Sequence, residues 1–131
     1  MKEPIWLDER DAPILHDRHL ALHGGAEGVR DGDLLKSALA RPQQHFAYAK
    51  SPPMAELASL YTAGNVRNHP FVDGNKRTGF VLGVLFLELN GFAFGASEED
   101  AAKAVIALAS GAMNEPAYAA FLSDNSRPAG T

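Results

Sequence analysis

The sequence predicts an all-α, single-domain fold. Alanine, the strongest helix former, occurs 22 times, mostly in two blocks, Ala38 to Ala63 and Ala93 to Ala120. No run of 4–8 residues alternates cleanly between apolar and polar, so the evidence for strands is thin. At 131 residues the chain allows one domain and leaves little for a second, and 46% apolar with 21% charged residues excludes disordered and collagen-like classes.

The elements follow in order. A first helix begins between Asp8 and Pro13, carries Ile14, Leu15, His19 and Leu22 at helical spacing, and ends at Gly24-Gly25. Gly28-Val29-Arg30-Asp31 reads as a turn, with Asp31 capping a second helix through Ala40 that Arg41-Pro42 stops. Residues 42–53 read as a loop, and Pro53 opens a third helix to about Asn68. Residues 76–90 form the most apolar helix, closed by Asn90-Gly91 and expected to be the central buried one. Its Phe80, Leu82, Leu85, Phe86 and Leu89 read as core. Ser97 starts a helix to about Ser110 with a near capping box, and Asn114 caps a last helix with Pro116 in its first turn. There is no internal repeat and no interdomain linker.

Composition narrows the chemistry. With no cysteine, a disulfide scaffold, a thiol nucleophile and thiolate metal sites are excluded. A net charge of −4 gives no broad attraction to nucleic acid or to anionic membranes, so neither is an expected partner. The longest apolar stretch, Phe80 to Leu87, falls short of the roughly 20 residues that cross a bilayer. Residues 1–10 lack a secretory core, so a cytoplasmic location is expected.

Between the third and fourth helices, His69-Pro70-Phe71-Val72-Asp73-Gly74-Asn75-Lys76-Arg77 breaks local rules. Gly74 permits positive φ just before a helix, and Asn75 is a good N-cap. Lys76 and Arg77 then fall in the first turn, where the helix dipole disfavours cations unless an anion sits there. Polyphosphate suits such a site. Asp73 could hold a divalent cation on the same phosphates, His69 could act as a base near neutral pH, and Phe71 would anchor the loop in the core. An ordinary capped helix after a short polar loop is the alternative reading of the same residues.

This stretch resembles the active-site signature of the Fic/Doc superfamily, His-x-Phe-x-Asp/Glu-Gly-Asn-Gly/Lys-Arg, in one contiguous block. Gly28-Val29-Arg30-Asp31, Ala40-Arg41-Pro42-Gln43 and Phe86-Leu87-Glu88-Leu89-Asn90-Gly91 are similar to the death-on-curing (Doc) branch. The resemblance implies a helical bundle with a central buried helix: a Fic/Doc-like domain over 1–123, with a disordered tail at 124–131. It also implies that His69 deprotonates an acceptor hydroxyl, Asp73 binds Mg²⁺, and Gly74, Asn75, Lys76 and Arg77 cradle the phosphates of ATP. Arg67, two residues before the histidine and outside the core motif, is a candidate further phosphate contact.

Two positions depart from the AMP-transferring pattern: the glycine position is Lys76, and the second arginine position is Phe80. Both match Doc, which implies ATP turned round so that its γ-phosphate faces the acceptor. The implied activity is a toxin kinase acting on a protein such as elongation factor Tu and arresting translation. The alternatives are a nucleotidyltransferase that places AMP on its target and a catalytically silent adaptor of the same fold. Intact His69, Asp73 and Arg77 speak against the adaptor. No Glu in the chain fits the inhibitory Ser/Thr-x-x-x-Glu-Gly/Asn pattern of self-inhibited relatives, so the expected brake is an antitoxin acting in trans.

Two other features are weighed. His16, His19 and His23 share a helical face at metal-ligand spacing, but no carboxylate or cysteine constellation completes a site, and helix-end or buried histidines account for them better. The segment Gln43 to Pro53, with His45, Phe46 and Tyr48, lies where Fic-like proteins place a flap that aligns the target chain.

Overall fold

Residues 3–26 and 28–129 are described here in a computed structural model of the chain. Their order is α1 (Asp11–His23), α2 (Gly32–Tyr48), α3 (Met54–Asn68), α4 (Asn75–Leu89), β1 (Phe92–Phe94), α5 (Glu98–Ser110), α6 (Glu115–Asp124) and β2 (Ser126–Pro128). Among the described residues the fold is all-α apart from one small two-stranded sheet.

Helix starts obey local chemistry. The Asp31 side chain accepts from Asp33 N and Leu34 N at 3.0 Å each. Ser97 Oγ accepts from Asp100 N at 3.1 Å and Asn114 Oδ1 from Ala117 N at 2.9 Å. Each such cap contributes about 1 kcal/mol.

The central helix is α3 rather than α4. Every residue from Leu57 to Val66 is buried, including Ser59, Thr62 and Asn65, and α3 packs against α2, α4 and α6. On α4, Leu82, Phe86 and Leu87 are buried, Phe80 and Leu85 are half-buried, and Leu89 is exposed. Small residues let the helices meet. Gly64 lies against Ala38 of α2, where a Cβ would come within 3.2 Å of backbone. Gly79 and Gly83 of α4 lie against α3, a Cβ at Gly83 reaching within 2.5 Å of Thr62 Oγ1 and 3.0 Å of Ala58 O. Thr62 Oγ1 donates to Gly79 O and Asn65 Nδ2 to Asn75 O, both at 2.7 Å. Polar groups thus latch α3 to α4 inside the core, where an unpaired group would be costly.

Helix α2 does not stop at Arg41-Pro42. It continues to Tyr48 with Pro42 inside it. Leu35, Ala38, Leu39 and Pro42 form one buried stripe, and this packing outweighs the backbone hydrogen bond that proline cannot make. The expected loop of 42–53 is therefore reduced to residues 49–53. Of its aromatic and histidine residues, Phe46 packs edge-on to Trp6, His45 Nε2 meets Glu56 Oε2 at 2.7 Å, and Tyr48 is 90% exposed.

The segment before α1 crosses the other face of the bundle. Trp6 stacks on Phe86, Leu7 N donates to Tyr61 Oη at 3.2 Å, and Ile5 exchanges two hydrogen bonds with the Asn90 side chain. The expected disordered tail is also corrected within the described residues. Ser126–Pro128 pairs antiparallel with Phe92–Phe94, with Phe92 opposite Pro128 and Phe94 opposite Ser126.

Candidate active site at the junction of α3 and α4

Helix α3 ends where His69 N donates to Asn65 O at 3.1 Å and His69 itself adopts left-handed backbone, φ 48° and ψ 55°. A non-glycine residue held there carries strain of order 1 kcal/mol, which is characteristic of functional sites. The Arg30 guanidinium stabilises this end of the helix, with Nε donating to His69 O at 2.7 Å and Nη2 to Asn68 O at 2.8 Å. A cation at a helix C-terminus complements both the orphan carbonyls and the dipole.

The loop that follows is stitched to the turn at 28–31. Arg30 N and Asp31 N both donate to Pro70 O, Val72 N donates to Gly28 O, and Phe71 bridges Val29. Phe71 is 1% exposed and stacks on the His16 ring at 4.0 Å with planes 10° apart, so it anchors the loop as expected. Asn75 turns inward. Its Oδ1 accepts from Phe71 N and its Nδ2 donates to Phe71 O, each at 3.0 Å. It is therefore the first helical residue and a clamp on the loop, and the N-cap is Gly74 in left-handed backbone at φ 76°. The expectation of Asn75 as N-cap fails because Gly74 takes the sharp turn one residue earlier.

The chemistry-bearing groups then face outward. His69, Asp73, Lys76 and Arg77 are exposed, and all four lie on one loop and the first turn of α4. That turn holds no acidic residue. The Gly74 cap offers no side-chain acceptor, so outward N–H groups and two cations coincide there. Asp73 Oδ1 accepts from Gly74 N at 2.8 Å. Beside this turn, Lys76, Arg77 and Phe80 form one wall of a cleft of about 490 Å³ whose other wall is Phe94 and the α5 residues Ala101 and Val105.

Arg67 is placed differently from its neighbours. Its guanidinium pairs with Glu115, the first residue of α6, which also receives two hydrogen bonds from Arg41 Nη2 at 2.8 and 3.1 Å. His16 is buried, and its Nε2 lies 2.5 Å from Asp73 O. The His19 and His23 side chains lie outside the described residues. Sequence reasoning missed His16, Gly25, Arg30, Arg41 and Glu115 as supports of the site. Arg30 and Arg41 stood inside quoted motifs, His16 was noted only as part of a histidine face and Gly25 only as a helix end, and Glu115 carried no local signal.

The donor set fits Mg²⁺ on a polyphosphate. Among the described residues no three His, Cys, Asp or Glu side chains cluster as a metal cage. A single exposed carboxylate beside a helix start that carries two cations is an arrangement Mg²⁺ can use when substrate oxygens and water complete its shell.

The Fic/DOC family pattern matches residues 6–87, from Trp6 before α1 to the last turns of α4. The chain belongs to the Fic/DOC family. It is 34% identical over 77 residues to protein kinase doc of Escherichia phage P1, covering 59% of this chain and 61% of that one. It is 38% identical over 87 residues to toxin Doc of Mycolicibacterium smegmatis, covering 66% of this chain and 65% of that one. The matches thus span less than two thirds of either relative. Within this Fic/DOC chain, the matched region holds the loop, the turn that supports it, and His16. Glu115 lies outside it.

Proposed function

We propose that this Fic/DOC protein is a Doc-type toxin kinase that transfers the γ-phosphate of ATP to a hydroxyl of a target protein. The observation that carries the reading is Lys76 exposed on the first turn of α4 with Phe80, one turn on, lining the cleft. A lysine fills the space that a glycine leaves for outer phosphates in AMP-transferring relatives, and a phenylalanine cannot grip them as arginine would.

In this reading His69 accepts the proton of the acceptor hydroxyl. The oxygen bonds to the γ-phosphorus, the bond from that phosphorus to the bridging β-phosphate oxygen breaks, and ADP leaves. Lys76, Arg77 and the N–H groups of the α4 start hold the phosphates. Asp73 would hold Mg²⁺, which would supply charge neutralisation at the phosphate oxygens. Arg67 joins the phosphates only by leaving Glu115. Elongation factor Tu is the proposed target, translation arrest the proposed effect, and an antitoxin supplied in trans the proposed brake.

Incubating the protein and a lysate with ATP labelled at the α or the γ position tests the reading. Label transferred from the γ position, with the target heavier by one phosphate, is the expected result. Transfer of α label as an AMP adduct would make the protein a nucleotidyltransferase, and no transfer of either would leave the adaptor reading. The paired cellular test is growth arrest by the protein alone, relieved by the product of a neighbouring antitoxin gene.

A further inference from the structure

The peptide unit between Asp73 and Gly74 is held from both sides. Its carbonyl oxygen lies 2.5 Å from His16 Nε2, and its N–H donates to Asp73 Oδ1 at 2.8 Å. A carbonyl only accepts, so His16 Nε2 is the donor and its proton sits on that nitrogen. Carbonyl and N–H of one planar peptide point in opposite directions, so gripping the oxygen aims the N–H. The same hydrogen bond polarises the peptide and strengthens its N–H as a donor. The other carboxylate oxygen, Asp73 Oδ2, lies against Gly25 after α1, where a Cβ would come within 2.9 Å.

We infer that His16 and Gly25 are positioning residues for the Asp73 carboxylate. His16 fixes the 73–74 peptide that holds Oδ1, and Gly25 leaves the space in which Oδ2 lies. The inference rests on the reading of Asp73 as the Mg²⁺ ligand, and assigns His16 of α1 and the Gly25 that follows the helix the task of presenting that ligand. His16 is well placed for this: it is 1% exposed and flat against Phe71, so its ring cannot turn without disturbing the loop anchor. Outer-shell groups of this kind typically change metal affinity by about 10- to 100-fold when removed.

The test measures Mn²⁺ binding, by its electron paramagnetic resonance signal, to the full chain with a non-hydrolysable ATP analogue, beside thermal melting. His16→Phe keeps a flat ring on Phe71 but loses the donor, whereas His16→Gln keeps an N–H donor. Gly25→Ala lies on an exposed loop and keeps the test alive if the buried His16→Phe variant does not fold. Because Gly25 has φ 125°, it is read against Gly24→Ala, at φ 76° with nothing near its Cβ, which carries backbone strain alone. Asp73→Asn reports on the underlying reading. Asp73→Asn, His16→Phe and Gly25→Ala are expected to weaken Mn²⁺ about tenfold or more, with His16→Gln restoring part of the loss. Weakening by Asp73→Asn alone, with folded His16→Phe or Gly25→Ala binding as wild type, would overturn the positioning role. Unchanged binding in Asp73→Asn would overturn the metal-ligand reading, and the inference with it.

Discussion

His69 is the residue on which the proposed chemistry turns, and its surroundings separate function from stability. Its side chain is exposed and its backbone is fixed by groups on other residues, namely Asn65 O, Arg30 Nε and the following Pro70. His69→Ala should therefore leave the fold and nucleotide binding intact while cutting transfer by about 10² to 10⁴, the usual worth of a general base. Transfer at the wild-type rate, with an unchanged melting curve, would remove His69 from that role. At this scale the grouping of His69, Asp73, Gly74, Lys76 and Arg77 at one turn was legible, because these residues stand within nine positions. What props the loop was not. His16 and Arg30 lie 57 and 39 positions from the atoms they hold, Asp73 O and His69 O, and no local pattern announces such a contact. The direction of Asn75 was also hidden, since a cap and an inward clamp use the same amide.

The packing of α3 on α4 sets the distance between the end that carries His69 and the start that carries Lys76 and Arg77. Gly83 makes the closest approach, and no far end of a flexible chain stands there to move aside: a Cβ would meet the Thr62 hydroxyl and the Ala58 carbonyl. Gly83→Ala should therefore destabilise by about 1–3 kcal/mol despite its better helix propensity. A lowered denaturant midpoint with an unchanged slope would show it, and an unchanged midpoint would show that α4 slides without cost. The sequence named α4 as the buried helix because its side chains are mostly apolar. Helix α3 is more deeply buried although it carries polar side chains. Ser59 Oγ donates within the helix to Glu56 O, and Thr62 Oγ1 and Asn65 Nδ2 donate across to Gly79 O and Asn75 O of α4, the latter two a tertiary arrangement that hydropathy cannot show. Pro42 misled for a related reason. Its local cost was read correctly, while the buried stripe that offsets it needs α3 in place.

Seen whole, the molecule is a bundle closed by two buried tyrosines, and this makes its stability sensitive to alkaline pH. Tyr61 of α3 lies under the N-terminal segment, accepting from Leu7 N, and Tyr118 of α6 lies against the core with none of its surface exposed. Burial pushes both hydroxyls up from the ordinary 10.0 to about 12, and the Leu7 hydrogen bond only partly offsets this at Tyr61. A raised acid pKa means that the folded chain holds the proton harder than the unfolded chain. The contribution is therefore complete below pH 10.0, shrinks as pH climbs from 10.0 toward 12, and is gone above that. For Tyr118, two pK units correspond to about 3 kcal/mol, a large part of the margin of an ordinary domain. Denaturant unfolding should show a flat midpoint from neutral pH to 10.0 and a steep fall beyond it. Read in a Tyr48→Phe background, because Tyr48 is exposed, phenolate absorbance of the two buried tyrosines should rise together with unfolding rather than ahead of it. Tyr118→Phe, which removes the proton but keeps the ring, should flatten part of that fall; a variant that loses stability over the same range as steeply as wild type would place the alkaline sensitivity elsewhere in the bundle.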